Sequence, residues 1–297
     1  MKVFVTGATG FVGSAIVSEL IGAGHQVVGL TRSDVGATTL TAMGASPYRG
    51  SLEDWESLRH GAALADAVIH TGFDHDFSNF AQNCEKDRRA IMALGEGLGG
   101  TNRPLLITSG LTLQAKGNVA TEQDAAVPAS EAYPRMSEAT AVALAATGVN
   151  ASVVRLPPSV HGVGDHGFVP TLIALARQKG ACAYIGGGMN RWPAVHRLDA
   201  ARVFRLALEC GTDSGPYHAV AEEGVVFKDI AAVVASRLGL PLVNITAEEA
   251  ADHFGWLAHF AAMDIPTSSA WTQTLLGWQP DQVCLIADIG QPSYFTP

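Results

Sequence analysis

Apolar positions along the chain follow two periods. Short runs of aliphatic and β-branched residues alternate with longer stretches in which apolar side chains return every third or fourth position. The short runs predict strands at Lys2–Thr6, Gln26–Leu30, Ser46–Tyr48, Ala67–His70, Leu105–Thr108, Ser152–Leu156 and Tyr217–Val220. Helical spacing is clearest over Phe11–Ala23, where Val12, Ile16 and Leu20 share a face, and over Phe80–Leu98 and Pro134–Ala146. Strands that alternate with helices predict an α/β fold, a doubly wound parallel sheet covered on both faces. From Pro157 onward the pattern loosens, through Pro157-Pro158 and the Gly186–Gly188 triplet into alanine-rich helices.

The first strand runs into Gly7-Ala8-Thr9-Gly10-Phe11-Val12-Gly13 and then directly into the first helix. Glycines at that spacing let the backbone approach a pyrophosphate, and a helix N-terminus supplies free N–H groups and a favourable dipole. Strand, glycine turn and helix in this order predict a Rossmann-type dinucleotide site. The chain then divides into an NADP-binding domain, 1–156 with 193–221, and a smaller C-terminal substrate lobe, 157–192 with 222–297. The second strand ends in Thr31-Arg32-Ser33, where an NAD-binding protein usually places an acid for the ribose 2′-hydroxyl. A guanidinium there suits a 2′-phosphate, and Asp34 falls beyond the strand end as a turn or cap residue. The expected cofactor is NADP(H).

Composition narrows the class further. Hydrophobic residues make up 47% and charged residues 16%, which fits a compact globular enzyme. A net charge of -9 argues against partners such as nucleic acid or an anionic membrane surface. No apolar run is long enough to span a bilayer, and the chain begins with a strand where a signal peptide would stand. Cys84, Cys182, Cys210 and Cys284 are scattered, as expected for reduced thiols. The expected location is cytoplasmic. His70, His75, His161, His166, His196 and His218 fall near strand ends, but none has paired ligand spacing, so no metal is expected.

These motifs together resemble the short-chain dehydrogenase/reductase superfamily, in its extended and atypical, NAD-dependent epimerase/dehydratase-like branch. Besides Gly7–Gly13, the resemblance rests on Ala65–His70, Leu106–Ser109, Thr121-Glu122 followed by Pro128, Val154–Pro157, His196–Asp199 and Leu276–Pro280. It implies cofactor contacts at Gly7, Thr9, Gly10, Phe11, Val12, Gly13, Thr31, Arg32, Ser51, Leu52, His70, Thr71, Gly72 and Pro157. Ser51 stands where the family carries an aspartate beside the adenine. A homodimer through Phe80–Leu98 and Pro134–Ala146 is likewise a family expectation.

The family's catalysis uses a tyrosine and a lysine four residues later. Here Tyr133 is followed by Pro134, Arg135, Met136 and Ser137, so the lysine is replaced. Without a cation nearby a phenol stays protonated at neutral pH, able to act as an acid for reduction but a poor base for oxidation. Two residues apart on a helix, Arg135 would not repair the loss. Pro134 also places Tyr133 at the helix cap, and an ordinary packed tyrosine is the alternative. Ser109 or Thr112 is the candidate hydroxyl for a substrate carbonyl. Asp87 replaces the family's asparagine on the apolar face with Cys84, Ile91 and Leu94, either as a structural carboxylate or as an acid of raised pKa. His161 and Trp192, with Asp165–Phe168, either touch substrate or only pack; Phe254, Trp256 and Phe260 form either a lid or the core of the small lobe. The expected activity is NADPH-dependent reduction of a carbonyl or similar polarised double bond on a small substrate. A catalytically impaired NADP(H)-binding sensor is the alternative, and a sugar-nucleotide epimerase the third.

Overall fold

The computed structural model describes residues 1–111, 118–131, 133–210 and 215–296. Its central sheet has seven parallel strands: β1 (Lys2–Thr6), β2 (Gln26–Thr31), β3 (Ser46–Arg49), β4 (Ala67–His70), β5 (Leu105–Gly110), β6 (Ala151–Leu156) and β10 (Tyr217–His218). The spatial order is β10-β6-β5-β4-β1-β2-β3. The winding therefore reverses between β1 and β4, and a crevice opens at their carboxyl ends. Register is fixed by apolar pairs such as Val3 opposite Val27 and Val5 opposite Ile69.

Helices α1 (Phe11–Gly22), α2 (Asp34–Ala42), α3 (Trp55–Ala63), α4 (Phe80–Leu98) and α5 (Ser137–Ala146) cross between these strands. One core lies under α1 and α7 (Arg197–Cys210), and a second lies under α3, α4 and α5. A third core belongs to the C-terminal part of the chain. It is built on α6 (Phe168–Lys179), β8 (Cys182–Ile185), α8 (Phe227–Leu238) and β12 (Leu242–Ile245), and β8 pairs with β12 in parallel. Between the two parts run β7 (Ser159–His161), β9 (Arg191–His196) and β11 (Glu222–Val226). Ala194 of β9 faces the C-terminal core while Val195 faces the core beneath α1.

Two expected elements shift. The helix expected over Pro134–Ala146 begins at Ser137. Pro134 disfavours helical geometry at the residue before it, and Tyr133 instead closes a turn with Ser130, donating to its carbonyl at 3.1 Å and accepting from its N–H at 2.8 Å. Asp34 is also not the cap of α2. Ser33 is, its hydroxyl accepting from Gly36 N at 3.1 Å, and Asp34 sits in the first turn. No helix among the described residues is long and apolar enough to cross a membrane.

Candidate active site

The glycine turn after β1 is packed to the limit. Gly7 has φ of +66°, and a Cβ there would lie 2.7 Å from Gly72 N. A Cβ on Gly13 would lie 2.0 Å from the Gly7 carbonyl oxygen. These contacts set the first turn of α1 directly on the loop between β1 and α1. The helix cap, Gly10, offers no side-chain hydrogen bond, and no acid stands in the first turn. The N–H groups at that end are thus presented to the crevice without a competing anion, which fits a dinucleotide pyrophosphate.

The other candidate cofactor contacts lie along the same carboxyl edge because each follows a strand of the parallel sheet. Thr31 ends β2 and Arg32 follows it, Ser51 and Leu52 follow β3, Thr71 and Gly72 follow β4, and Pro157 follows β6. Leu52 packs against the site where a Gly72 Cβ would be, at 2.9 Å. Arg32 is exposed and has no hydrogen bond or ion pair among the described residues. The nearest acid, Asp34, is committed to Arg49 of β3. His70 is different from the rest: it is buried and both ring nitrogens are engaged, so its imidazole faces protein.

His70 begins a polar chain through the floor of the crevice. Thr6 Oγ1 lies 2.7 Å from His70 Nδ1, and His70 Nε2 lies 3.0 Å from Asp87 Oδ1 on α4. Ser137, the first residue of α5, donates from its hydroxyl to Asp87 Oδ2 at 2.6 Å. Arg135 Nε then donates to Ser137 Oγ at 3.0 Å. Burial by itself would raise the Asp87 carboxyl, but the His70 hydrogen bond and charge, the field of Arg135 and the Ser137 hydrogen bond hold it below the ordinary carboxylate value. Asp87 thus bridges the end of β4 and the start of α5, one carboxyl oxygen to each.

The same geometry changes the premise, not the outcome, of the expectation about Arg135, whose hydrogen bond and ring contact go to Ser137 and Phe73 and not to the Tyr133 phenol. Residues 133–136 are not helical, so the rule that side chains two apart diverge does not apply, and Arg135 reaches back to Ser137. Its guanidinium also lies over the Phe73 ring at 4.1 Å, three residues past His70. The dipeptide Tyr133-Pro134 carried the signal for this arrangement. Tyr133 itself is half-buried, and its phenol has no hydrogen bond among the described residues. Ser109, 5% exposed at the end of β5, likewise keeps a hydroxyl without a hydrogen bond among them. Thr112 lies outside the described residues.

His161 and Trp192 are both core positions. Trp192 is fully buried, its indole N–H donating to the Phe260 carbonyl at 3.0 Å. His161 is 1% exposed and its Nδ1 lies 2.8 Å from Asp288 Oδ2. Packing thus consumes the side-chain surfaces that substrate contact would require. The aromatic trio divides: Phe254 is buried, whereas Trp256 is 49% exposed and stacks on Phe77 at 4.5 Å.

Asp288 belongs to a cluster that the sequence did not signal. Tyr294, near the C-terminus, donates to Asp288 Oδ2 at 3.1 Å and Asp165 Oδ2 at 3.3 Å, and accepts from Gly162 N at 3.0 Å. Burial pushes the Asp165 carboxyl up to about 6, against an ordinary value of 3.8. An acid raised on folding contributes most to stability below its unfolded value, and that contribution is lost as pH rises through its folded value. Asp165→Asn, which keeps an acceptor for Gly167 N, should therefore stabilise the protein more at pH 7.5 than at pH 5. The gain at pH 7.5 should be on the order of 1 kcal/mol after solvent screening. Thermal melts at the two pH values measure it, and an equal shift at both would contradict the assignment.

A parallel sheet whose carboxyl edge presents a glycine turn, a bare helix N-terminus and converging strand ends defines a dinucleotide-binding enzyme of the doubly wound class. Residues 3–220 match the model of the NAD dependent epimerase/dehydratase family, and the chain belongs to that family. An uncharacterized protein of Schizosaccharomyces pombe is 51% identical over 296 residues, 99% of this chain and 100% of that protein. A 2-alkyl-3-oxoalkanoate reductase of Stenotrophomonas maltophilia is 33% identical over 224 residues, 70% of this chain and 66% of that one. Among solved structures, the dTDP-glucose 4,6-dehydratase DesIV of Streptomyces venezuelae, with NAD and TYD bound, has the same fold. It superposes with a TM-score of 0.78 at 18% identity, covering 99% of this chain and 97% of that one. Family and relatives indicate activity of the NAD(P)-dependent oxidoreductase or epimerase type.

Proposed function

We propose that this protein is an NADPH-dependent reductase acting on a carbonyl, or a similarly polarised double bond, of a small organic substrate. The observation that carries the cofactor choice is Arg32, exposed just past the end of β2 and without an ion pair among the described residues, while Asp34 is held by Arg49. A guanidinium free of a local partner favours a 2′-phosphate, and no free carboxylate repels it. When bound, the nicotinamide supplies the hydride. Ser109 offers a hydroxyl donor to the substrate oxygen, and Tyr133 offers a phenol that can release a proton to it. The 2-alkyl-3-oxoalkanoate reductase of Stenotrophomonas maltophilia supports the direction of the reaction by its name. A cofactor-binding sensor is the second reading, favoured by Ser137, which stands in the lysine's place and donates to Asp87.

The native protein should bind NADPH at least about tenfold more tightly than NADH, a difference of about 1.4 kcal/mol, and Arg32→Ala should erase it. With a panel of aldehydes and ketones, Tyr133→Phe should lower turnover by about a hundredfold or more. Equal affinity for the two cofactors would sink the role of Arg32. Tight NADPH binding without consumption across the panel would select the sensor.

A further inference from the structure

We propose that Arg135 is an anion-holding residue of the crevice, and that the substrate carries a carboxylate on an apolar, ring-sized body. The inference rests on the reductase reading for where the crevice lies, and on four observations for what fills it.

First, Arg135 spends one donor within the chain, Nε to Ser137 Oγ at 3.0 Å. The terminal nitrogens of its guanidinium have no hydrogen bond or ion pair among the described residues, and the side chain is only partly exposed. A planar fork with free terminal donors matches a carboxylate in bidentate geometry. Second, the fork is held in place. Ser137 is fixed from the other side by Asp87, and the Phe73 ring lies against the guanidinium at 4.1 Å. A side chain ordered before binding loses little freedom on meeting its ligand. Third, Phe73 directly follows Thr71-Gly72, whose backbone packs on Gly7 of the glycine turn. The cation therefore stands beside the cofactor crevice rather than on an outer face.

The fourth observation concerns the apolar part. Phe73 lies 6.2 Å edge-on from Phe80, which is 5.4 Å from Phe77. Phe77 stacks on Trp256, and Trp256 meets Phe168 edge-on at 6.0 Å. These rings come from the segment after β4 and from the C-terminal part of the chain, and Trp256 keeps 49% of its surface exposed. Continuous ring surface beside one ordered cation suits an arylalkyl or similarly apolar carboxylate.

The test is calorimetric titration of the NADPH-saturated protein with 3-phenylpropionate and with 3-phenylpropanol, which share a body and differ in the anion. The acid should bind at least about tenfold more tightly. Arg135→Gln should bring it down to the alcohol, and Arg135→Lys should recover part of the preference, with thermal melts showing that both variants are folded. Equal binding of acid and alcohol by the native protein would overturn the proposal, as would an acid preference unchanged in Arg135→Gln. Neither ligand reacts, so the result does not depend on turnover. The reductase reading fails separately, if no carbonyl compound consumes NADPH while the acid preference persists.

Discussion

Gly13→Ala should weaken dinucleotide binding severely while leaving a folded but less stable protein. The added Cβ would sit 2.0 Å from the Gly7 carbonyl oxygen, 2.8 Å from the Gly7 carbonyl carbon and 3.0 Å from Thr71 Oγ1. Two of these neighbours are backbone, so no side-chain rotation relieves the clash, and α1 must move off the turn. Overpacking of this kind costs about 3 kcal/mol. The same movement withdraws the helix N–H groups from the pyrophosphate position, so affinity for NADPH should fall by at least about a hundredfold. Gly22→Ala is the control, because a Cβ there meets nothing within 4 Å and alanine favours the helix. Titration of both variants with NADPH checks the prediction. Native affinity in Gly13→Ala would mean that the phosphate does not bind at this helix.

Asp87→Ala is expected to lower stability by a comparable amount through a different cause. It removes the acceptor shared by His70 Nε2 and the Ser137 hydroxyl, and all three side chains are buried. Two buried donors left without partners cost about 2–4 kcal/mol together, enough to lower the melting temperature by on the order of 10 °C. Arg135 would also lose its anchor, because Ser137 Oγ would no longer be fixed from α4. Asp87→Asn should cost much less, since the amide can meet one neighbour with its oxygen and a retautomerised His70 with its nitrogen. Thermal unfolding of the three proteins measures the order. Equal melting temperatures for Asp87→Ala and Asp87→Asn would show that the chain from Thr6 to Arg135 carries no cooperative stability.

Most of the central sheet was legible in the sequence because its strands are buried and its pattern is local. Runs such as Val3-Phe4-Val5 and Ala67-Val68-Ile69 declare strands without reference to anything distant, and the glycine turn declares its own conformation. The C-terminal part was far less legible. Strands β8 and β12 pair residues sixty positions apart, as Leu242 does with Cys182, and neither run alternates cleanly enough to announce itself. His161 was a candidate for the cleft because it takes a cleft-wall position of the family it resembles, and Trp192 was grouped with it; both side chains are buried, and sequence position carries no measure of depth.

The sequence by itself determined the dinucleotide-binding fold, since a strand, a glycine turn and a helix are local structures with local causes. It also placed Arg32 without an acid at the end of β2 and showed the lysine replaced by Ser137. Tertiary structure alone decided what replaced the lysine's surroundings. A proline displaced the start of α5, and that freed Arg135 to fold back on Ser137. Two helices distant in sequence then brought Asp87 and Ser137 within 2.6 Å. Hydrogen bonds between remote segments depend on how whole elements pack, and no window of residues contains that information.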